Sequence, residues 1–302
     1  MSLLNEKFNL CVIDIKDDMK LTQGEAFNAM KKCVFKEISP SDEFEHGFVQ
    51  IDDLFNSDFS MEDSVVVNSM VGGYRYDKKS IPGILLKKLY NEKLKEEEKA
   101  EGCKLDKEAK KSVKEDCKKI LLIKTLAKPN LVTWVWDMDN SRVIIDAKSK
   151  SVINKFISLF KKTFEIQEML IANYGLTEEE EVGKFLGWLW KNTEDMENVW
   201  LDTGVTFDLD KNTFKFQGPD LESFTEDIES FKKSKGVKGL GVGFELDEKE
   251  YGVTFTNKNM ILNIERKDGI KHEEAETAIL DNMDHIDNIM AQTNNLVKHF
   301  LK

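Results

Sequence analysis

The feature that most constrains the fold is a highly charged segment, residues 82–128, in which apolar residues recur at helical spacing. The first apolar positions at this spacing are Leu85, Leu86, Leu89 and Leu94. Pro82 favours a first helical turn, and Gly102 interrupts the pattern before it resumes at Leu105. A stripe this narrow buries only one side of each helix. The segment therefore predicts a helical hairpin over residues 81–128 that projects from the body or packs lengthwise on a partner.

The same segment reverses the charge of the chain. The 302 residues carry a formal net charge of -12, whereas residues 82–128 hold 14 lysines against 9 acidic residues, a local charge of +5. The rest of the chain therefore carries -17. Such asymmetry suits a DNA-facing surface on an acidic body, because phosphate neutralisation requires cations at the contact rather than over the whole molecule. A hairpin whose lysines are merely solvated would give the same counts.

Outside the hairpin the chain predicts an α+β fold with antiparallel or mixed sheets and flanking helices. Alternating apolar residues between turn residues predict strands, and apolar residues three or four apart predict helices. The predicted strands are residues 8–16, 46–52 and 64–76, the last broken at Gly72 and Gly73, two strands within 131–147, a hairpin at 204–216, and a meander at 237–246, 251–256 and 260–266. The predicted helices are residues 24–32, 152–164, 221–233 and 273–301.

Composition limits the compartment and the redox chemistry. No apolar run approaches the length needed to cross a bilayer. Charged residues are scattered through the first twenty positions, where a signal peptide would be apolar. We therefore expect a cytoplasmic protein without membrane contact. The four cysteines, Cys11, Cys33, Cys103 and Cys117, form no C-x-x-C pair, which favours free thiols.

Three sequence patterns resemble ligand sites but lack residues that such sites require. Asp208, Asp210 and Asn212 resemble the start of a calcium loop, but Thr213 stands where the loop needs glycine, so the pattern indicates a hairpin turn. Asp281 and His285 share a helix face without a second histidine. The glycines at 236, 239, 241 and 243 fit neither a dinucleotide fingerprint nor a P-loop. We therefore expect no cofactor, no metal and no enzymatic activity.

The order of several motifs resembles one known family. Within the hairpin they are Ile81-Pro82, Leu86-Lys87, Gly102, Leu105, Lys107-Glu108, Val113-Lys114-Glu115 and Ile120-Leu121-Leu122. Downstream they are Trp134 to Asp137, Val143 to Asp146, and Lys235, Val237, Leu240, Val242 and Phe244. In this order the chain resembles the RdgC family of bacterial recombination-associated proteins. The resemblance extends over nearly the whole chain from about residue 40.

The resemblance implies both an architecture and an activity. It implies a homodimer closed into a ring around double-stranded DNA, binding with little sequence preference and limiting access of the RecA recombinase, in the cytoplasm and associated with the nucleoid. It also implies four parts: residues 1–80 as the N-terminal α+β part of a central domain, 81–128 as the hairpin or tip, 129–200 as the continuation of the central domain, and 201–302 as the base. The chain departs from the family at two places: residues 123–127 lack its aromatic and therefore any role of that side chain, and residues 216–219 lack its basic character, which predicts weaker DNA binding and a smaller salt dependence.

Lysines on the hairpin and near the glycine-rich turn are the candidate DNA contacts, since ammonium groups bind phosphates without reading bases. They are Lys110, Lys111, Lys118, Lys119, Lys124, Lys128, Lys232, Lys233, Lys235 and Lys238. Two other classes of function stay open. A magnesium-dependent DNA exonuclease would need clustered carboxylates, for which Asp137, Asp139 and Asp146 are the candidates. A protein-interaction scaffold would use the hairpin to dock another protein.

Overall fold

The structure is a computed structural model that describes residues 3–53, 55–176, 178–209, 212–217, 237–246, 248–256, 262–268, 270, 272 and 274–302. The chain divides into two compact units. Unit 1 comprises Met1–Ala29, Ser60–Gly72 and Val132–Lys302, and unit 2 comprises Met30–Phe59 and Gly73–Leu131. The charged segment therefore belongs to unit 2.

The described strands and helices follow one another along the chain in a mixed order. The strands are β1 (Lys7–Ile15), β2 (Phe44–Val49), β3 (Val65–Val66), β4 (Ser69–Lys78), β5 (Lys128–Asp137), β6 (Arg142–Ile145), β7 (Met169–Ile171), β8 (Val199–Leu209), β9 (Asn212–Gln217), β10 (Val237–Leu246), β11 (Lys249–Thr256) and β12 (Leu262–Arg266). The helices are α1 (Gln23–Lys31), α2 (Gly83–Glu101), α3 (Lys107–Lys124), α4 (Lys150–Phe164), α5 (Glu179–Asn192) and α6 (Ala275–Phe300). Single 3-10 turns lie at Glu62–Ser64 and Thr193–Asp195.

A large antiparallel sheet forms the framework of unit 1. Its strands run in the order β5, β6, β1, β12, β11, β10, β8 and β9, and the short β7 also pairs with β1. Strands β10, β11 and β12 form the predicted meander, and β8 and β9 form the predicted hairpin. The N-terminal strand lies beside the last one, with Lys7 opposite Glu265. The sheet therefore joins the two ends of the chain.

Aromatic side chains build the core of unit 1. Trp134 and Trp136 of β5 are fully buried, and α4 turns Phe156, Phe160 and Phe164 towards them at a spacing of four residues. The ring centroids of Trp136 and Phe160 lie 5.2 Å apart in a T-shaped arrangement. Tilted and edge-to-face contacts of this kind are favoured between aromatic rings. The amphipathic pattern of α4 thus places one face of the helix on the sheet.

Unit 2 contains two paired strands and the two charged helices. Strand β2 pairs antiparallel with the second half of β4, from Phe44 opposite Lys78 to Val49 opposite Gly73. The buried guanidinium of Arg75 pairs with Asp77 and lies 3.9 Å from the centroid of the Phe35 ring. Helices α2 and α3 pack against each other in the same unit.

The structure confirms the α+β class and corrects one predicted strand. Residues 64–76 do not form one strand broken at the glycines. The break is at Val67, whose φ of 53° places it in the left-handed region between β3 and β4. Strand β4 runs unbroken through Gly72, where a side chain would lie 2.7 Å from the Trp134 ring. The glycine therefore makes room for a tryptophan rather than ending a strand.

Two elements were not predicted, and one predicted element cannot be compared. Strand β7 has three residues and gives no periodicity to detect. Helix α5 has Val182, Phe185, Leu186 and Leu189 buried at helical spacing, a signal that the sequence does contain. The predicted helix at residues 221–233 lies outside the described residues.

Two further expectations concern membranes and thiols. Among the described helices, none has the length and apolar character required to cross a bilayer. All four cysteines are free thiols, as predicted. Burial raises the pKa of the Cys11 thiol to about 12, so this side chain stays protonated and behaves as a small apolar group.

Candidate nucleic-acid interface

Helices α2 and α3 owe their ends to local sequence signals. Gly102 follows α2 with a left-handed φ of 70°, a conformation that favours glycine. Asp106 caps α3, because its side chain accepts a hydrogen bond from the Ala109 amide at 2.8 Å. Only five residues separate the two helices, so α3 folds back onto α2. The boundaries lie within the predicted 81–128.

A small apolar cluster holds α2 and α3 together. Leu105, Val113 and Cys117 are buried, and partly buried side chains of α2 cover them. Those side chains are Leu86, Leu89, Tyr90 and Leu94. No residue of α2 is itself buried. The contact therefore uses one narrow face of each helix and leaves the remaining faces to lysine and glutamate.

The positive charge lies on α3 rather than on α2. Helix α2 carries five lysines and five glutamates, whereas α3 carries seven lysines and three acidic residues. Four of the α3 lysines, which we call the α3 stripe, are Lys107, Lys111, Lys114 and Lys118. At 3.6 residues per turn they fall within an arc of about 60° along about 16 Å of the helix. The structure thus places a row of cations along one side of one helix.

The predicted lysines differ in what they contact. Lys118 lies 2.9 Å from Glu43, Lys119 lies 3.5 Å from Asp116, and Lys110 lies 3.9 Å from Glu98. The hydrogen bond to Glu43 raises the pKa of Lys118. Within the part of the chain that the structure describes, Lys111, Lys124 and Lys128 form no ion pair, and all three are exposed. These three are the predicted cations with no competing carboxylate.

The structure describes only one of the other four predicted lysines. Lys232, Lys233 and Lys235 lie outside the described residues. Lys238 is a partly buried residue of β10 and belongs to unit 1. Sequence analysis overlooked Lys107 and Lys114, although their spacing to Lys111 and Lys118 is visible in the sequence.

The carboxylates suggested for a nuclease are engaged in separate contacts. Asp137 is buried and accepts hydrogen bonds at 2.8 Å from both Arg142 and Asn140. Asp146 accepts bonds from the amide and the side chain of Asn9, and burial raises the pKa of its carboxyl despite them. Among the described residues there is no cluster of three or more histidine, cysteine or acidic side chains suited to a metal ion.

The two other incomplete patterns have structural explanations. In the backbone ladder between β8 and β9, Asp208 lies opposite Thr213 and Leu209 lies opposite Asn212, as the predicted hairpin requires. The glycines at 239, 241 and 243 lie within strand β10.

The same carboxyl that sequence analysis considered as a metal ligand ties α6 to the sheet. Asp281 of α6 pairs with the buried Arg266 of β12 and accepts a hydrogen bond from Nε2 of His272 at 2.9 Å. His285, one helical turn further, contacts Tyr251 of β11 through Nδ1. A guanidinium beside the carboxylate opposes metal binding, because it already supplies the positive charge. The contacts of this cluster, which we call the Arg266 network, therefore hold α6 on the sheet.

The chain matches one known protein family along almost its whole length. A family model described as "Putative exonuclease, RdgC" matches residues 8–300. No curated protein matches the chain.

Proposed function

This chain belongs to the RdgC family of recombination-associated proteins, and from that premise we propose that it binds double-stranded DNA without sequence preference. The observation that carries the proposal is the α3 stripe on a helix that is positive overall within an acidic chain. Lysines bind phosphates as point charges and do not distinguish bases. Affinity would come from counterion release and would fall steeply with salt.

The test compares two sets of three exposed lysines in the same unit. In one variant Lys107, Lys111 and Lys114 become glutamine, and in the matched control Lys88, Lys95 and Lys99 of α2 become glutamine. Both variants lose the same charge. We expect the first to lower the slope of log K against log salt by about 2.7, at about 0.9 for each phosphate contact. The control should change the slope by less than about 1. Equal slopes in the two variants would contradict binding through α3.

We further propose that the DNA-binding form is a ring-shaped homodimer that limits access of the RecA recombinase, with the α2–α3 pair projecting as a helical hairpin. Exposed apolar side chains near the ends of the two helices support self-association, with Ile84 81%, Ile123 62% and Leu126 92% exposed. Large exposed apolar residues often mark protein contacts. Replacing Ile123 and Leu126 by serine should shift the sedimentation coefficient towards the monomer, and an unchanged dimer would contradict this contact.

A closed ring would retain circular DNA topologically. Circular duplexes should therefore resist competitor DNA longer than short linear fragments of the same sequence, because a linear duplex can slide out of the ring. Equal release from both would exclude ring closure while leaving DNA binding intact. RecA-driven strand exchange should be inhibited by the wild type and not by the variant of Lys107, Lys111 and Lys114. Association with the nucleoid should be lost in the same variant.

The description of the matching family favours one other function, an exonuclease. Metal-assisted cleavage would require carboxylates that bind Mg²⁺ near the DNA. Asp137 is one of the three carboxylates that the sequence suggested for this role, and hydrogen bonds from Arg142 and Asn140 occupy both of its oxygens. Loss of labelled duplex that requires Mg²⁺ and disappears in Asp137→Asn would establish the exonuclease. Intact duplex in the wild type would favour binding alone.

A further inference from the structure

A cavity of about 640 Å³ lies in unit 1, away from the charged helices. Its lining comes from the end of β1, the turn that joins β5 to β6, strand β7 with the loop that follows it, and helix α6. The volume lies within the range of small-molecule sites in proteins. All of the lining belongs to unit 1, whereas the α3 stripe belongs to unit 2.

The charged side chains of the lining are already paired. Lys16 lies 3.1 Å from Asp14, and Arg142 contacts Asp287 as well as the buried Asp137 behind it. Among these described residues, each cation therefore has a carboxylate beside it. A charged ligand would find no unpaired opposite charge here, whereas a neutral ligand leaves both pairs intact. The lining therefore favours an uncharged molecule.

Uncharged polar groups of the lining are, by contrast, available. The phenol of Tyr174 and the side-chain amide of Asn294 form no hydrogen bond with any residue that the structure describes. Asn173 uses only its side-chain oxygen, which accepts from the Gly175 amide at 3.2 Å, so its side-chain nitrogen is left as a donor. The three residues are half-buried, and these polar atoms stay accessible to water. A ligand that enters the cavity can therefore reach them.

The Tyr174 phenol is a neutral group on an unusual backbone. Its φ of 54° lies in the left-handed region, which residues other than glycine rarely adopt. Strained residues of this kind cluster at ligand sites. Burial and the nearby Asp14 carboxylate raise the pKa of Tyr174 above its usual range. The phenol therefore stays protonated at neutral pH and offers both a donor and an acceptor.

The amide of Asn294 indicates the class of ligand. An amide presents a donor and an acceptor side by side, and this pair matches the edge of adenine, where an amine lies beside a ring nitrogen. Asp287, two turns earlier on α6, pairs with Arg142 through Oδ1 alone, which leaves Oδ2 to accept from a ribose hydroxyl or a second N–H. Leu170 and Met290 add apolar side chains to the lining, as the flat faces of a purine require.

We propose that this cavity binds adenosine, with the base at the Asn294 amide and with hydrogen bonds from Tyr174 and Asn173. A nucleoside brings many hydrogen-bonding groups and no net charge, which matches a lining whose ions are paired. The nucleotide is disfavoured, because its phosphate would lie near the carboxylates of Asp14 and Asp287. The proposal does not depend on DNA binding through α3.

The test is calorimetric titration of the full chain with adenosine. We expect a Kd of about 0.1 mM, from the usual affinity per atom of a small ligand. Purine riboside, which lacks only the exocyclic amine, should bind at least about 5-fold more weakly, because it cannot make the paired contact to Asn294. Ribose alone should not bind. Absence of binding by adenosine, or equal binding by purine riboside or ribose, would overturn the proposal.

Two adjacent asparagines of α6 provide a matched pair of variants. Asn294→Asp replaces the donor nitrogen by an oxygen without changing the shape, and it should fold because the amide has no described partner to lose. It should weaken adenosine binding about 10-fold. Asn295→Asp makes the same change at an exposed position outside the cavity and should leave the Kd unchanged. Equal effects of the two variants would show that adenosine does not contact Asn294, and the proposal would fail.

A third variant separates the cavity from the DNA-binding surface. The protein in which Lys107, Lys111 and Lys114 are glutamine should bind adenosine as the wild type does, whatever happens to its affinity for DNA. Loss of adenosine binding in this variant would place the nucleoside on α3 and overturn the assignment to the cavity. Loss of DNA binding alone would leave it intact.

Discussion

Charged residues have opposite surroundings in α3 and in the Arg266 network. The α3 lysines lie at the protein surface, and even Lys118, which pairs with Glu43, has a half-exposed partner. In unit 1, Arg266 is almost fully buried, and Asp281, Asp268 and Asn282 surround its guanidinium. Exposed ion pairs contribute little to stability, whereas removing one partner of a buried pair leaves an uncompensated charge. Burial, rather than charge, therefore decides which of these residues stabilise the fold.

The same difference separates charges that are available to a ligand from charges that are not. An exposed lysine keeps its hydration until a phosphate approaches, and it can exchange water for that phosphate at little cost. Asp281 cannot do so, because Arg266 and His272 already contact its carboxylate. Despite burial, the hydrogen bond from His272 and the charges of His285 and Arg266 lower the pKa of Asp281. This carboxylate therefore stays ionised and holds α6 on the sheet.

The largest expected effect comes from removing the buried cation. Arg266→Met should lower the free energy of unfolding by about 3–5 kcal/mol, because Asp281 and Asp268 would remain without their positive partner. Urea unfolding of the wild type and the variant measures this loss of free energy. The matched control is Lys111→Met on α3, which should change the free energy of unfolding by less than about 0.5 kcal/mol. Losses of equal size would show that the two regions do not differ as proposed.

The second effect is a dependence of stability on pH in unit 1. Burial lowers the pKa of His285, although Asp281 opposes the shift. The folded protein then binds fewer protons at this site than the unfolded chain does, so the contribution of His285 to stability is present above a pH of about 6.5. It is lost as pH falls through the folded-state pKa. Thermal unfolding between neutral and mildly acidic pH measures it.

The control for the pH effect is His285→Asn, whose side chain can keep a contact to Tyr251 without titrating. Its stability should depend less on pH than that of the wild type in this window. The titration of Asp281 falls at lower pH, because its pKa is lowered from that of a free carboxyl group. A wild type and a variant with identical pH profiles would exclude His285 as the cause.

The smallest effect concerns the ion pair between Lys118 and Glu43, whose side chains are 36% and 49% exposed. Glu43→Gln should change the free energy of unfolding by less than about 1 kcal/mol. It should also strengthen DNA binding a few-fold at low salt, because Lys118 no longer has a competing carboxylate. Fluorescence anisotropy with labelled duplex measures the binding. Weaker binding in this variant would remove Lys118 from the proposed interface.

Sequence analysis succeeded where the signal is local. Pro82 and Gly102 mark the two ends of α2, and the leucine spacing identifies its contacting face. The high lysine content of residues 82–128 follows directly from a count of the sequence. The turn at Val67 was missed because a β-branched residue rarely adopts a left-handed conformation, so its sequence resembles a continuous strand.

The candidate sites were predicted less completely than the fold. The sequence-based prediction included Lys111 and Lys118 but grouped them with Lys119, which lies on another side of the helix. It could not show that Glu6 and Arg266 are neighbours, because these residues lie 260 positions apart along the chain. The RdgC resemblance is confirmed, whereas the ring, the projecting hairpin, the four-part division and the DNA contacts stay predictions.

Periodicity, turn residues and lysine counts are properties of short segments, so they were enough to predict most of the elements, the family and the uneven distribution of charge. Which charges are paired, and which polar groups have no partner among the described residues, became visible only in the folded chain. Glu6 and Arg266 become neighbours only when the first strand pairs with the last. Pairing of this kind depends on burial over long separations, and a carboxylate in the sequence does not reveal whether a cation will reach it.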